Sequence, residues 1–138
     1  MGRIVSDTNS LIQSIPSRSP YRPIWNSFMD GTNILCVSGE ILNEYEEILE
    51  RLAGVDTAKI IIETILNNPH TLLFTPYYHF DLIQSDPDDN KFVDCAVVAN
   101  AQFIVTEDRH FDAVKRCPFP RIEVIELDSF LEIVMSQG

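Results

Sequence analysis

Five short apolar runs recur along the chain, and longer segments separate them. The runs are residues 3–7, Ile34–Val37, Thr71–Phe74, Phe103–Thr106 and Ile122–Ile125. In the segments between them, apolar residues recur with the period of an α-helix. Short strands that alternate with amphipathic helices favour a parallel sheet covered by helices on both faces. We therefore predict a three-layer α/β fold with a central, mostly parallel sheet of about five strands.

The helical period is clearest from Ser38 to Leu52, where Ser38 can cap the first turn. One face of this helix carries its apolar side chains: Ile41, Tyr45, Ile48, Leu49 and Leu52. Further helices are predicted at Tyr21–Met29, Thr57–Asn67, Asp89–Asn100 and Leu127–Met135. A loop is predicted over residues 14–20, which are rich in serine and proline.

Length and composition indicate a small globular protein. The 138 residues, of which 45% are hydrophobic, fit one domain spanning residues 1–138. No apolar run reaches the roughly 18 residues of a membrane span, and the first residues lack a secretory signal, so a cytoplasmic protein without membrane contact is expected. Cys36, Cys95 and Cys117 do not have the spacing of a zinc site and are expected to be reduced thiols.

The overall charge opposes bulk binding to nucleic acid. The chain has 10 basic and 21 acidic residues and a formal net charge of −11, whereas phosphate contacts need lysine or arginine. Divalent cations held by some of the acids would reduce this charge, and an oligomer or a basic partner would mask more of it. A function on nucleic acid is therefore in tension with the composition.

Two acids are expected at the carboxyl edge of the sheet, where parallel α/β proteins bind their ligands. Asp7 ends the first apolar run, and Asp108 follows the run Phe103–Thr106 by two residues. Each could instead only cap a following helix, and for Asp7 the two interpretations are equally supported.

Helical geometry selects two more acids, because each residue advances about 100° around the helix axis. Glu44 lies roughly 85° from the centre of its apolar stripe, while the other glutamates of that helix point further towards solvent. In the helix that begins at Asp89, this residue lies within roughly 10° of the centre of the buried face, and Asp94 points almost the opposite way. A carboxylate aimed at the core needs a partner, and a metal ion would supply one.

Four carboxylates at one sheet edge would form a metal site made entirely of oxygen ligands. Such a site suits Mg²⁺ or Mn²⁺. These ions activate water and stabilise the charge that develops when a phosphodiester bond is cleaved. The pattern therefore indicates a metal-dependent nuclease with these metal-binding and catalytic acids: Asp7, Glu44, Asp89 and Asp108.

The residues around these acids resemble four ordered motifs of the PIN-domain family. The corresponding blocks are Ile4–Asn9, Val37–Tyr45, Asp86–Phe92 and Val105–Phe111. Carried over residue by residue, they place the acids of the family at Asp7, Glu44, Asp89 and Asp108. Because Asp86 lies close to Asp89, it is an alternative or additional third ligand. Asn9, Ser38 and Thr106 are supporting residues within the motifs.

The resemblance is closest to the toxin components of toxin–antitoxin systems, the VapC-like ribonucleases. It implies a PIN-like α/β/α fold and an endoribonuclease that uses Mg²⁺ or Mn²⁺ to leave a 5′-phosphate and a 3′-hydroxyl. It also implies a homodimer and a cognate antitoxin protein that silences the enzyme.

Other functions are compatible with parts of the pattern. A phosphatase of the haloacid dehalogenase type also begins with a strand that ends in aspartate, but it needs a second aspartate where this chain has Asn9. A response-regulator receiver needs adjacent acids and a late lysine at a strand end, and these are not evident. The non-enzymatic alternative is a PIN fold that keeps its acids as a structural metal site and binds RNA or protein. Acids that only cap helices would not explain the inward direction of Asp89.

Arg18 and Arg22, in the loop and helix after the first strand, are the basic residues that we predict to contact substrate RNA. Replacing both with alanine should weaken RNA binding, because phosphate contacts depend on these positive charges. The measurement is RNA binding to the purified protein at low salt. Unchanged binding by the double variant contradicts the assignment.

Overall fold

The computed structural model contains the predicted parallel sheet. It describes residues 2–76, 79–81, 83, 87–116 and 122–137. The strands in these residues are β1 (Arg3–Ser6), β2 (Ile34–Ser38), β3 (Leu72–Phe74), β4 (Phe103–Val105) and β5 (Val124–Ile125). They form one sheet in the order β3-β2-β1-β4-β5, and every pairing is parallel. The predicted three-layer α/β fold is confirmed.

All five predicted helices are confirmed, with ends that shift by a residue or two. The helices are α1 (Thr8–Ser14), α2 (Arg22–Asp30), α3 (Gly39–Ala53), α4 (Val55–Asn67), α5 (Asn90–Ala99), α6 (Asp112–Lys115) and α7 (Leu127–Gln137). Single 3₁₀ turns at Pro87–Asp89 and Arg109–Phe111 precede α5 and α6. Within the described part of the chain, none of the helices has both the length and the apolar character needed to cross a membrane.

Helices lie on both faces because the crossovers between strands run in two directions. The chain moves from β1 through β2 to β3 by way of α1 to α4, and it returns across the sheet to β4 by way of α5. Crossovers of this type are right-handed, so α5 lies on the opposite face from the helices of the first two crossovers. Helix α5 contacts β1, β2, β3 and β4. On the other face α2 packs against α7, where the rings of Phe28 and Phe130 have centroids 6.2 Å apart.

The central strands form the most deeply buried part of the core. Their fully buried side chains include Ile4, Val5, Cys36, Val37 and Ile104.

Cys36 and Cys95 are free thiols, as predicted, and Cys117 lies outside the described residues. Burial raises the pKa of these thiols, to about 11 for Cys36 and about 12 for Cys95. Both therefore stay protonated and unreactive at neutral pH.

Two predictions about helix faces are wrong. Leu52 is 67% exposed, so the buried stripe of α3 stops at Leu49. The reason is that Leu52 lies in the last turn of α3, just before the chain reverses at Gly54, which has a φ of 91°. Asp94 was expected to point away from the buried face, but its side chain is only 5% exposed.

Asp94 is buried because a segment from outside its helix lies over it. The backbone N–H of Phe80 donates to Oδ1 of Asp94 at 3.0 Å, and Nδ1 of His79 lies 2.9 Å from Oδ2. Asn90 holds the same segment, since its side chain exchanges two hydrogen bonds of 2.8 Å with the backbone of Ile83. The first turns of α5 therefore anchor the chain that leads into this helix.

We expect the contact between His79 and Asp94 to stabilise the folded protein by an amount that depends on pH. The hydrogen bond to Asp94 raises the pKa of His79 above its ordinary value, and nearby negative charges act in the same direction. The folded protein therefore favours protonated His79, so the stabilisation is complete below about pH 6.5 and is lost as the pH rises through the raised pKa. We expect the free energy of unfolding, measured with urea, to be higher for wild type than for His79→Gln. This difference should be larger at about pH 6 than at about pH 8. An equal margin at both values contradicts the prediction.

Candidate active site

The pairing of β1 with β4 places the first predicted acid. Asp7 follows β1, and its N–H donates to the carbonyl of Val105 at 3.0 Å, which continues the ladder between the two strands. The same residue is the N-cap of α1, because its Oδ1 accepts a hydrogen bond of 2.8 Å from the N–H of Ser10. Asp7 is therefore both an edge acid and a helix cap, and its carboxylate is fixed where strand changes to helix.

Thr106 binds the other oxygen of Asp7. The Thr106 hydroxyl donates to Oδ2 of Asp7 and accepts a hydrogen bond of 3.0 Å from the N–H of Asp108. Thr106 and Asp7 are 3% and 9% exposed, so this contact is shielded from water. One hydroxyl group thus links the first predicted acid to the last.

Opposing effects act on the carboxyl of Asp7. Burial raises its pKa, while hydrogen bonds from Thr106 and Ser10 lower it and the charge of Asp108 raises it. The net shift of the pKa is upward, so burial is the largest effect. A cation next to the carboxylate would favour its charged form and reverse the shift. Buried acids with a raised pKa are typical of functional sites.

Glu44 faces the same edge from the second turn of α3. Its side chain is 27% exposed, and Oε1 lies 2.7 Å from Nζ of Lys91. The other oxygen, Oε2, accepts a hydrogen bond from the hydroxyl of Thr8. Glu44 therefore connects three elements of the edge, namely α3, α1 and α5.

Two contacts fix α3 relative to the sheet. The side chain of Ser38 caps the helix, because its Oγ accepts a hydrogen bond of 3.3 Å from the N–H of Ile41. The fully buried Tyr45, next to Glu44, donates a hydrogen bond of 2.6 Å to the carbonyl of Ser6 in β1. The supporting role predicted for Ser38 is therefore that of a cap, which sets where the helix begins.

The four predicted acids line one cavity of about 190 Å³ at this edge. Its polar lining consists of Asp7, Thr8, Asn9, Glu44, Asp89 and Asp108. Asp89 stands immediately before α5, and its Oδ2 is buried. The structure thus brings together acids from four separate segments of the chain, and it places Asn9 among them. Asp86, the alternative third ligand, lies outside the described residues.

The donor set of the cavity fits a hard divalent cation, because carboxylate oxygens are the ligands that Mg²⁺ and Mn²⁺ prefer. In the structure, internal contacts occupy several of these oxygens. Thr106 and Ser10 bind Asp7, while Lys91 and Thr8 bind Glu44. Within the described ranges, no three His, Cys, Asp or Glu side chains are arranged to hold one ion together. The internal contacts therefore use part of the acceptor capacity of these carboxylates.

Two contacts of the site were not predicted from the sequence. Thr8 occupies the first position of the helix that Asp7 caps, so recognition of that short helix would have placed it near the acids. The other is Lys91, whose side chain is only 12% exposed and pairs with Glu44. No local pattern indicates this pair, because the two residues lie on different helices.

The structure gives the two predicted RNA-binding arginines different surroundings. The guanidinium of Arg22 donates to the carbonyl of Ile15 and, at 3.2 Å, to Oδ1 of Asn26. Arg22 therefore closes the loop between α1 and α2. Arg18 is exposed in that loop. RNA binding by either residue stays a prediction, and Arg18→Ala is the cleaner single variant because it leaves the loop contacts in place.

These features define a parallel α/β protein with an acidic cavity at the carboxyl edge of its central strands. The sequence profile of the PIN domain matches residues 3–110, and the chain belongs to the PIN-domain family. The predicted PIN-like fold is thereby confirmed. A search of curated proteins found no match.

Solved structures with this fold include two that are similar to most of this chain. One is the crystal structure of VapBC2 from Rickettsia felis bound to a DNA fragment from their promoter, with a TM-score of 0.62, 15% identity and coverage of 90% of this chain and 98% of that chain. The other is the PIN domain endonuclease Utp24, with a TM-score of 0.53, 14% identity and coverage of 90% of this chain and 84% of that chain. At these identities, the similarity shows a common fold.

The substitution Asp7→Asn should have opposite effects on two properties of the protein, its stability without metal and its stabilisation by a bound cation. The amide keeps an acceptor for the N–H of Ser10 and removes a buried charge, so the metal-free protein should gain about 1 kcal/mol in free energy of unfolding. Mn²⁺ should raise the Tm of wild type but no longer that of the variant, because binding to the native state stabilises it. Thermal unfolding in EDTA and in Mn²⁺ measures both effects.

The control is Asp56→Asn, which removes an exposed carboxylate from the first turn of α4. This variant should respond to Mn²⁺ as wild type does. An equal Mn²⁺ response in Asp7→Asn would show that Asp7 is not a ligand.

Proposed function

We propose that this chain is a metal-dependent endoribonuclease of the PIN toxin type. In this proposal residues 1–138 form one PIN domain, and Mg²⁺ or Mn²⁺ is held by Asp7, Glu44, Asp89 and Asp108. The observation that carries it is that these four carboxylates, from four separate segments, line one cavity at the carboxyl edge of the sheet. Membership of the PIN-domain family supports it. Further support comes from the similar fold of Utp24, which is described as a PIN domain endonuclease.

The residues of the chain have definable tasks in this chemistry. When bound, Mg²⁺ or Mn²⁺ would activate a water molecule and stabilise the charge that builds up on the leaving oxygen of the phosphodiester. Thr106 and the N–H of Ser10 hold the two oxygens of Asp7 in a fixed orientation. Ile48 and Phe92 form an apolar part of the cavity wall, which strengthens electrostatic interactions by lowering the local dielectric.

The net charge of −11 makes RNA binding depend on the cation. A phosphodiester is repelled by four carboxylates, and a divalent cation among them offsets part of their charge and offers the phosphate oxygens a positive centre. Substrate affinity and metal affinity are therefore linked in this proposal. This linkage reduces the conflict between an acidic composition and a nucleic-acid substrate.

The proposal extends to protein partners in the cytoplasm. The resemblance to VapC-like toxins implies a cognate antitoxin and a homodimer, and the fold shared with VapBC2 supports an association of this kind. Large apolar side chains around α3 and α4 are exposed, with Leu52, Val55 and Ile60 at 67%, 65% and 64%. Exposed apolar surface is typical of regions that bind other proteins.

RNA cleavage by the purified protein, free of any bound antitoxin, tests the proposal. Wild type should cleave a mixed-sequence RNA in Mg²⁺ or Mn²⁺ and should be inactive in EDTA. Each of Asp7→Asn, Glu44→Gln and Asp89→Asn should lose at least about 100-fold in rate, because it removes a direct ligand of the cation. The products should carry a 5′-phosphate and a 3′-hydroxyl.

The matched control for Glu44→Gln is Glu47→Gln on the same helix. In the described part of the chain, Glu47 forms an exposed ion pair with Arg51 at 3.2 Å, and such pairs contribute little to stability. This control should cleave RNA like wild type. Cleavage that persists in EDTA overturns the proposal, and stabilisation by the metal without any cleavage favours the RNA-binding or protein-binding module instead.

A further inference from the structure

Lys91 occupies an unusual position for a lysine, because it is nearly buried beside the acid cavity. It is the second residue of α5, and its side chain is 12% exposed. Its Nζ lies 2.7 Å from Oε1 of Glu44 and donates a hydrogen bond of 2.7 Å to the carbonyl of Asp88. The ammonium group also lies over the ring of Phe92, with Nζ 5.3 Å from the centroid.

A comparison within the chain shows how different this ion pair is from an ordinary surface pair. Lys115 lies 3.5 Å from Asp112 on α6, and both side chains are close to half exposed, at 48% and 45%. In the pair of Lys91 with Glu44 the exposed fractions are 12% and 27%. Charge interactions are screened less when the groups are partly buried. The attraction between Lys91 and Glu44 is therefore screened less by solvent than the attraction between Lys115 and Asp112.

The ion pair joins two of the segments that carry the predicted metal ligands. Glu44 comes from α3, and Lys91 follows Asp89 by two residues at the start of α5. The ammonium group brings a positive charge to a carboxylate that lines the same cavity as Asp7, Asp89 and Asp108. It thereby offsets part of the repulsion between these acids. A divalent cation in the cavity would do the same through the same carboxylate.

We infer that Lys91 is a built-in counter-ion that competes with the divalent cation for Glu44. This inference rests on the proposed function. The ion pair holds Glu44 while the cation is absent, and the pair has to open before Glu44 binds the cation. Lys91 is thus a positioning residue that acts through Glu44, and it makes the affinity for the cation lower than the four acids alone would give.

Direct measurement of Mn²⁺ binding tests this inference without any assay of cleavage. Calorimetric titration of the purified full-length chain is compared for wild type, Lys91→Met and Arg109→Gln. Methionine keeps an unbranched apolar side chain and removes the charge, so Lys91→Met should bind Mn²⁺ about tenfold more tightly, the size typical of coupling between residues in contact. Arg109 is exposed and adjacent to Asp108. Removing its charge alters the electrostatic potential around the cavity without breaking a contact to Glu44. Arg109→Gln should therefore shift the affinity for Mn²⁺ by less than about twofold.

A second pair of variants separates competition for Glu44 from a general effect of charge. In a Glu44→Gln background, the addition of Lys91→Met should change Mn²⁺ affinity by less than about twofold, because the shared carboxylate is gone. Lys91→Arg keeps the positive charge and should bind Mn²⁺ within about threefold of wild type. Urea unfolding of each variant verifies that it is folded, and Lys91→Gln replaces Lys91→Met if the latter is not.

The outcomes distinguish failure of the inference from failure of the proposed function. Equal Mn²⁺ affinity of wild type and Lys91→Met overturns the inference and leaves the metal-dependent nuclease intact. A tenfold gain that persists in the Glu44→Gln background also overturns it, since Lys91 would then act through the general field. If neither wild type nor Lys91→Met binds Mn²⁺, the metal-dependent function is overturned and the inference with it.

Discussion

The buried carboxylate of Asp7 is the group around which the edge of the sheet is organised. It is 9% exposed between two central strands, where an isolated charge would be costly. The hydroxyl of Thr106 and the N–H of Ser10 offset part of that cost, and they also hold the two oxygens in one orientation. In the proposed function, this fixed orientation holds the carboxylate ready to bind the cation.

The strand order explains why the other acids lie near this group. Strand β1 lies between β2 and β4, so the segments that leave all three strands meet at one edge. Helix α3 follows β2 and carries Glu44, while the segment after β4 carries Asp108. Helix α5 crosses the opposite face, and Asp89 stands at its start. The cavity is therefore a product of topology, and no two of its acids are close in sequence.

The sequence predicted those features that depend on local periodicity. The strands and the long helices follow from it, and so does the edge position of Asp7 and Asp108. Helix α1 was missed because its seven residues carry little periodic signal. The burial of Asp94 and the pairing of Lys91 with Glu44 were missed for a different reason. Both depend on contacts between distant segments, which the geometry of a single helix does not contain.

The link between Asp7 and Thr106 joins residues 99 positions apart. Pairing over such a distance forms late, because the intervening chain has to be present and closed into a loop first. During synthesis on the ribosome, the segment with Asp7 and Glu44 emerges long before the strand that completes the edge. A growing chain therefore carries two of the acids without an assembled cavity. The cavity can therefore be assembled only after Asp108, the last of its four acids, has been synthesised.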